Sequence, residues 1–271
     1  KFYCTTDGTG TTPRYLIAPR VTSRSSAGIS IVNVSSVQVG DINKATKNKF
    51  SYTDCGIIIG NSNANIYNNN FINLPVYYTN GHGYGVQIVG NSSTSKSVVI
   101  GGYNSGNNVY TNLFSNCNKG ISQQYATNIK VLCDTFTACI VSATEISLNN
   151  YRNIDFTKNR IQNTVNGLLI NDFVNTRLVV DSNSIYNVTN GITAQNATTH
   201  ECYGATIRKN SITGIFTNGI KLLNVKNHSD IQAVSPGYER QIPYIYANTI
   251  TFGSYDIVGA NYYTGIGVSS G

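Results

Sequence analysis

The sequence predicts an all-β chain wound as a parallel β-helix, a solenoid with three short strands per coil and coils of roughly 21–27 residues. Three observations predict it. One phrase recurs along the chain, its anchors keep a near-constant spacing, and apolar residues alternate with period two around each copy.

The phrase is clearest in "NSIYNVTNGITAQN", residues 183–196: Asn, an aliphatic residue two places on, and Gly-Ile from the eighth place. It returns in "NKFSYTDCGIIIG" from Asn48, "NLFSNCNKGISQQ" from Asn112, "NRIQNTVNGLLIND" from Asn159 and "NSITGIFTNGIKLLN" from Asn210. Weaker copies begin at Asp134, in the Asn place before Phe136, and at Asn248, where Asp256-Ile257 takes the place of Gly-Ile. A further copy at Asn69 reaches Gly85-Val86 after a longer loop. Anchors 112, 134, 159, 183 and 210 lie 22, 25, 24 and 27 residues apart, one coil per phrase. The longer gap from 69 to 112 holds an inserted loop or an extra turn.

Each coil then divides into three strands. The post-Gly strand buries the first and third residues after the Gly: Ile57 and Ile59, Val86 and Ile88, Leu168 and Ile170, Ile192 and Ala194, Ile220 and Leu222. The pre-Asn strand buries Ile129 and Val131, Ile154 and Phe156, Leu178 and Val180, Ala205 and Ile207. The post-Asn strand points one residue inward per coil: Phe50, Phe71, Phe114, Phe136, Ile161, Ile185, Ile212 and Ile250.

Asn tolerates the left-handed backbone of a tight bend, and amides stacked at about 4.8 Å can bond one another. Asn48, Asn69, Asn112, Asp134, Asn159, Asn183, Asn210 and Asn248 therefore form a structural ladder, and each Gly supplies a second permissive bend. Asn196 is expected in an exposed turn.

The repeated N-x-I/F … G-I phrase resembles the right-handed parallel β-helix repeats of the pectate-lyase-like superfamily, in particular its Asn-, Thr- and Gly-rich secreted bacterial surface versions. It covers roughly residues 28–270. The resemblance implies a right-handed coil and leaves function open, since that superfamily holds lyases, hydrolases, epimerases, tailspikes and adhesins. The catalytic strings of its polygalacturonase branch and the calcium-binding carboxylate clusters of its pectate lyase branch have no counterpart here.

Composition bounds the partners. Only 11% of residues are charged, and the net charge of +7 comes from scattered Lys and Arg with no dense run, so nucleic acid is not an expected partner. No hydrophobic run has transmembrane length and no signal peptide is present, so the chain is not expected to be membrane-embedded. Residues 1–27 are assigned to an N-terminal segment or cap, and 28–271 to the solenoid. A start at Lys1 and a closing "TGIGVSSG", which resembles the beginning of another coil, suggest a piece of a longer secreted protein with flanking domains, or an open edge that associates end to end.

Six Cys show no zinc spacing, and no metal or cofactor is expected. Cys117 and Cys139 each lie five residues past an anchor and stack; parallel strands orient their side chains alike, which favours free thiols over a disulfide. The glycosylation-type sequons at Asn33, Asn91, Asn187, Asn196 and Asn227 are what an Asn- and Thr-rich chain yields by chance.

Chemistry must sit on an outward face. The post-Gly strands present Gln87, Ser122, Gln124, Leu169, Asn171, Thr193, Gln195 and Lys221, a surface fit for hydrogen-bonding sugars rather than breaking them. The pre-Asn strands present Lys130, Asp155, Asp181 and Arg208, either as two vertical ion pairs or as two catalytic carboxylates flanked by cations that bind an acidic glycan. Tyr67 and Tyr110, two residues before their anchors, are placed outward as a pair that either stacks on pyranose rings or simply covers the strands. His200 with Glu201 and His228 with Asp230 are assigned to solvated turns. The expectation is a secreted or cell-surface module for glycan binding, adhesion or structural display, without catalysis. The alternatives are a polysaccharide lyase or glycoside hydrolase acting on an acidic polysaccharide, and a filament or stalk segment.

Overall fold

The computed structural model describes residues 27–41, 47–74, 83–90, 96–103, 109–125, 128–147, 152–173, 176–202, 204–227, 244–252 and 264–269. It is a parallel β-solenoid, and among these residues there is no helix. The pre-Asn strands Val37–Val39, Ala64–Ile66, Ser97–Tyr103, Asn128–Leu132, Asn153–Thr157, Arg177–Asp181, Gly204–Arg208 and Tyr244–Tyr246 follow one another in a single parallel sheet. The post-Asn and post-Gly strands begin as separate ribbons, such as Leu113–Cys117 and Lys119–Gln124. From Arg160 onward they run together as Arg160–Asn171, Ser184–Cys202 and Ser211–Asn227. One antiparallel pairing interrupts this pattern, Gly102–Tyr103 against Val109–Tyr110, in the segment that lengthens the gap between 69 and 112. Phe71 pairs directly with Phe114, so that segment is an insertion and not an extra turn.

Register places like residues above like. Phe50, Phe71, Phe114 and Phe136 are in line, with ring centroids 4.9, 4.7 and 4.7 Å apart and planes within 11° of parallel. Ile161, Ile185, Ile212 and Ile250 continue the column. The inward positions of all three faces form one core that excludes water.

The ladder has a fixed grammar. Asn183 donates its backbone N–H and its Nδ2 to Asn210 Oδ1 at 3.0 and 2.9 Å, and Nδ2 also donates to Phe156 O at 2.9 Å. Asn159 repeats this toward Asn183 and Val131, and Asn210 toward Asn248 and Val180. Asn69 and Asn112 likewise bond Asn112 and Asp134, and Asn48 Nδ2 reaches Asn69 Oδ1 at 2.9 Å.

Several expectations need correction. The left-handed bend falls on the residue before the anchor, at Asn68, Cys133, Lys158, Ser182, Lys209 and Ala247, and not on the ladder Asn. A second left-handed column lies four residues after it, at Tyr52, Asn73, Asn116, Ala138, Asn163, Asn187 and Gly214. The ladder Asn is chosen for its side chain, which satisfies backbone groups that the bend leaves unpaired.

The Gly residues of the phrase do not need positive φ either; their role is steric. A Cβ on Gly85 would lie 2.6 Å from Gly120 O and 2.4 Å from Phe114 Cδ1, and one on Gly191 would lie 2.5 Å from Gly219 O. Ala143 takes the Gly place in the Asp134 coil, where the next coil brings Ile161 in place of a phenyl ring. In the Asn248 coil that place goes to Gly265-Ile266, since Ile266 pairs with Ile220; the strand Thr264–Ser269 is thus the post-Gly strand of this coil and not the start of another. Asp256-Ile257 lies outside the described residues, as does the N-terminal segment 1–26. Asn196 is buried, accepting from Phe173 N–H at 2.8 Å, so it is a second structural amide and not an exposed turn.

Candidate functional site

The post-Gly face carries two outward columns. The first runs Ile58, Gln87, Ser122, Glu145, Leu169, Thr193, Lys221. The second runs Val32, Gly60, Val89, Gln124, Ser147, Asn171, Gln195. The candidates Gln87 and Lys221 therefore share one column at a distance of several coils, while Gln124, Asn171 and Gln195 share the other.

Glu145 is a residue the sequence reading missed. With Ala143 in the Gly place, Glu145 falls two residues later in the middle of the first column, where its Oε1 accepts from Lys119 Nζ at 2.7 Å with both side chains largely covered. Lys119 Nζ also lies 5.7 Å from the centroid of the Tyr84 ring. The ion pair neutralises the centre of the face, which leaves Lys221 as the unpaired charge of this column among the described residues.

The second column begins in a shallow depression of about 400 Å³ lined by Val32, Asn33, Gly60, Asn61, Val89, Gly90 and Tyr125. The floor is apolar because two glycines and two valines meet there. Val32 is 54% exposed and Tyr125 46% exposed, so both present apolar surface to solvent at this place. Tyr125 is turned outward by the left-handed bend that ends its strand, with φ 65°. At the rim Asn61 Nδ2 donates to Asn33 Oδ1 at 2.9 Å, which orients the amides. No lining residue of the depression is charged. Beyond it the column turns polar, and Gln195 Nε2 donates to Asn171 Oδ1 at 2.9 Å.

The pre-Asn face differs from expectation in one pair. Lys130 and Asp155 are in register, as are Asp181 and Arg208. Arg208 closes on Asp181 Oδ2 at 2.7 Å through Nη2, and Ser182 Oγ donates to Asp181 Oδ1 at 2.8 Å. Arg208 also reaches the Tyr246 hydroxyl at 3.0 Å, and these two partners, Tyr246 first, raise the guanidinium pKa. No ion pair joins Lys130 to Asp155; Asp155 Oδ1 instead accepts from Thr157 Oγ1 two residues along its own strand, and Lys130 is exposed. Thr157, not Asp155, is the register partner of Asp181, so the two carboxylates are one coil and two residues apart.

Tyr67 and Tyr110 do come together, ring centroids 5.9 Å apart and tilted by 53°, but Tyr110, a residue of the antiparallel pair, is buried and Tyr67 is half-buried. Burial, and then Tyr110, push the Tyr67 hydroxyl pKa up. Of the pair, only Tyr67 keeps part of its surface exposed. His200 and Glu201 belong to a strand, His200 pairing with Val225, rather than to a turn; His228 and Asp230 lie outside the described residues.

Cys117 and Cys139 are side-chain neighbours and free thiols; Cys55 and Cys133 are free as well. Burial pushes the Cys55 thiol up to about 12, and the Cys117 thiol is raised by its Cys139 neighbour and by burial. Among the described residues no cluster of His, Cys, Asp and Glu could hold a metal ion, and no helix is long and apolar enough to cross a membrane. No family model matches the chain, and neither the curated proteins nor the solved structures give a match.

Proposed function

We propose that this chain is a secreted or cell-surface solenoid module that binds glycan along the edge of its post-Gly face, serving adhesion or display rather than catalysis. One observation carries this reading. A single register column joins an apolar depression walled by Tyr125 to a row of oriented amides at Asn171 and Gln195. An exposed aromatic beside small apolar residues suits the hydrophobic face of a sugar ring, and fixed amides suit its hydroxyls. The uncharged depression favours neutral sugar units there; Lys221 lies one column away, where an acidic unit of the same polymer could be met.

The pectate-lyase-like resemblance is compatible with this reading and does not decide it. Cleavage from the pre-Asn face is the weaker case, because Asp181 is engaged by Arg208 and Ser182 and Asp155 by Thr157 on its own strand.

The test is a glycan-array screen and a turnover screen on the same sample. Tyr125→Ala and the double variant Asn171→Ala, Gln195→Ala should each weaken binding at least about tenfold. Tyr125→Phe, and the double variant Asp155→Asn, Asp181→Asn, should bind as wild type. Release of reducing ends or unsaturated sugar by wild type, lost in the Asp double variant, would establish an enzyme and overturn the proposal.

A further inference from the structure

The ladder contains one rung that breaks its own grammar. At the other interior rungs the second side-chain atom is an NH2 that donates to a carbonyl of the preceding coil's pre-Asn strand and to the Oδ1 of the next anchor. Asn112 meets Ile66 O at 2.9 Å and Asp134 Oδ1 at 3.0 Å, and Asn159 meets Val131 O at 2.9 Å and Asn183 Oδ1 at 3.1 Å.

At Asp134 an oxygen takes the place of that NH2. Its Oδ1 fills the acceptor role, receiving the backbone N–H and Nδ2 of Asn112 at 2.8 and 3.0 Å, while its own N–H donates to Asn159 Oδ1 at 2.9 Å. Its Oδ2 is buried and has no partner. By register the carbonyl in line for this atom is that of Ile100, which pairs with Val131, and the side-chain oxygen is Asn159 Oδ1. Both are acceptors. An ionised Asp134 would therefore press a charged oxygen against lone pairs, inside a fully buried corner where Gly101 already leaves no room for a Cβ.

A single proton on Oδ2 removes the conflict, since a neutral carboxylic acid presents one acceptor and one donor in the places that Asn fills with its carbonyl and amide. We infer that Asp134 is carried in the folded solenoid as the neutral acid, which makes its rung a proton-dependent joint in an otherwise pH-indifferent ladder. Burial is the largest influence on this carboxyl and holds its pKa well above the ordinary range, against the opposing bonds from Asn112 and the charge of Lys47. Lys47 Nζ donates to Thr111 O at 3.0 Å. Among the described residues the other titratable groups at this corner are Cys133, next in the chain, and Lys158, which acts on Cys133.

The sign follows from linkage. A carboxyl whose folded pKa is raised contributes stability that is fully present below the unfolded value near 3.8, and that stability is lost as pH rises through the folded value. Asp134→Asn installs a permanent donor. Thermal unfolding of wild type and Asp134→Asn from about pH 3 to about pH 9 should show the variant more stable at the alkaline end, by at least about 2 °C, with the gap closing below about pH 4. Infrared spectra of the folded wild type at neutral pH, with Asp carboxyls isotope-labelled, should show the carbonyl band of a protonated acid. That band decides the matter even if the variant fails to fold. A gap that does not change with pH, the absence of the band, or a wild type stabilised by rising pH together with added calcium would each overturn the inference.

Discussion

Asn183 shows what a single residue contributes here. It donates three hydrogen bonds, and its Oδ1 accepts two while its carbonyl accepts one from Ser211 N–H. Replacing it by Leu leaves buried partners on both neighbouring coils unsatisfied and should cost about 1–3 kcal/mol in chemical denaturation. Asn196→Leu should also destabilise, because Phe173 N–H loses its acceptor, whereas Ser184→Ala, exposed and adjacent to Asn183, should change little. Glycine gives a second residue-scale test. Gly85→Ala forces a methyl into Gly120 O and the Phe114 ring, and should cost roughly 1–3 kcal/mol. Gly60→Ala meets nothing nearer than the Val32 side chain at 3.3 Å and should be tolerated. Thiols offer a third. In the folded state Cys55, Cys117 and Cys139 should resist a thiol-alkylating reagent at mildly alkaline pH, since all three are buried and the thiolates of Cys55 and Cys117 are disfavoured, and should react on unfolding. Mass mapping of the labelled peptides reads this directly, and rapid labelling of Cys117 before unfolding would contradict the stacking.

At the scale of the element, the period was legible because packing and hydrogen bonding both repeat with it. Asn-x-Phe fixes the ladder and the ring column together, so anchors from 48 to 248 could be aligned from spacing alone. Phe114 lies between two parallel rings; Phe114→Ala should cost about 3–5 kcal/mol, and Phe114→Leu less, because Ile continues the same column further along. What spacing could not reveal was anything set by one coil's departure from the pattern. Glu145 escaped notice because Ala143, nine residues after Asp134, stands where Gly was sought eight residues on. Tyr110 was placed outward because nothing local announces the antiparallel pairing that takes it up, in which it is buried. The Lys130 and Asp155 pairing failed for a different reason: register brings them level, but Thr157 offers Asp155 a shorter and more rigid partner than a solvated Lys. The peripheral amide ladders add a feature absent from the phrase. Asn187 donates to Asn163, Asn190 to Asn166 and Gln195 to Asn171, later coil to earlier, whereas the buried ladder donates from earlier coil to later, so their dipoles oppose.

The whole molecule turns a one-dimensional repeat into a surface. Stacking at about 4.8 Å per coil aligns side chains from residues far apart in sequence, so Val32 and Gln195 come to lie in one column although no local motif links them. That column is where an apolar shelf meets an amide row, and it is also where charge is least. The opposite proposition, that the chemistry lies on the pre-Asn face with Asp155 and Asp181, makes a different spatial demand. Chemical-shift mapping during titration with a glycan that binds in the array separates the two. The account predicts that backbone signals of Asn33, Asn61, Val89, Tyr125, Asn171 and Gln195 move together while those of Asp155, Asp181 and Arg208 stay fixed. Movement confined to Asp155, Asp181 and Arg208, with the Tyr125 column unmoved, would contradict it.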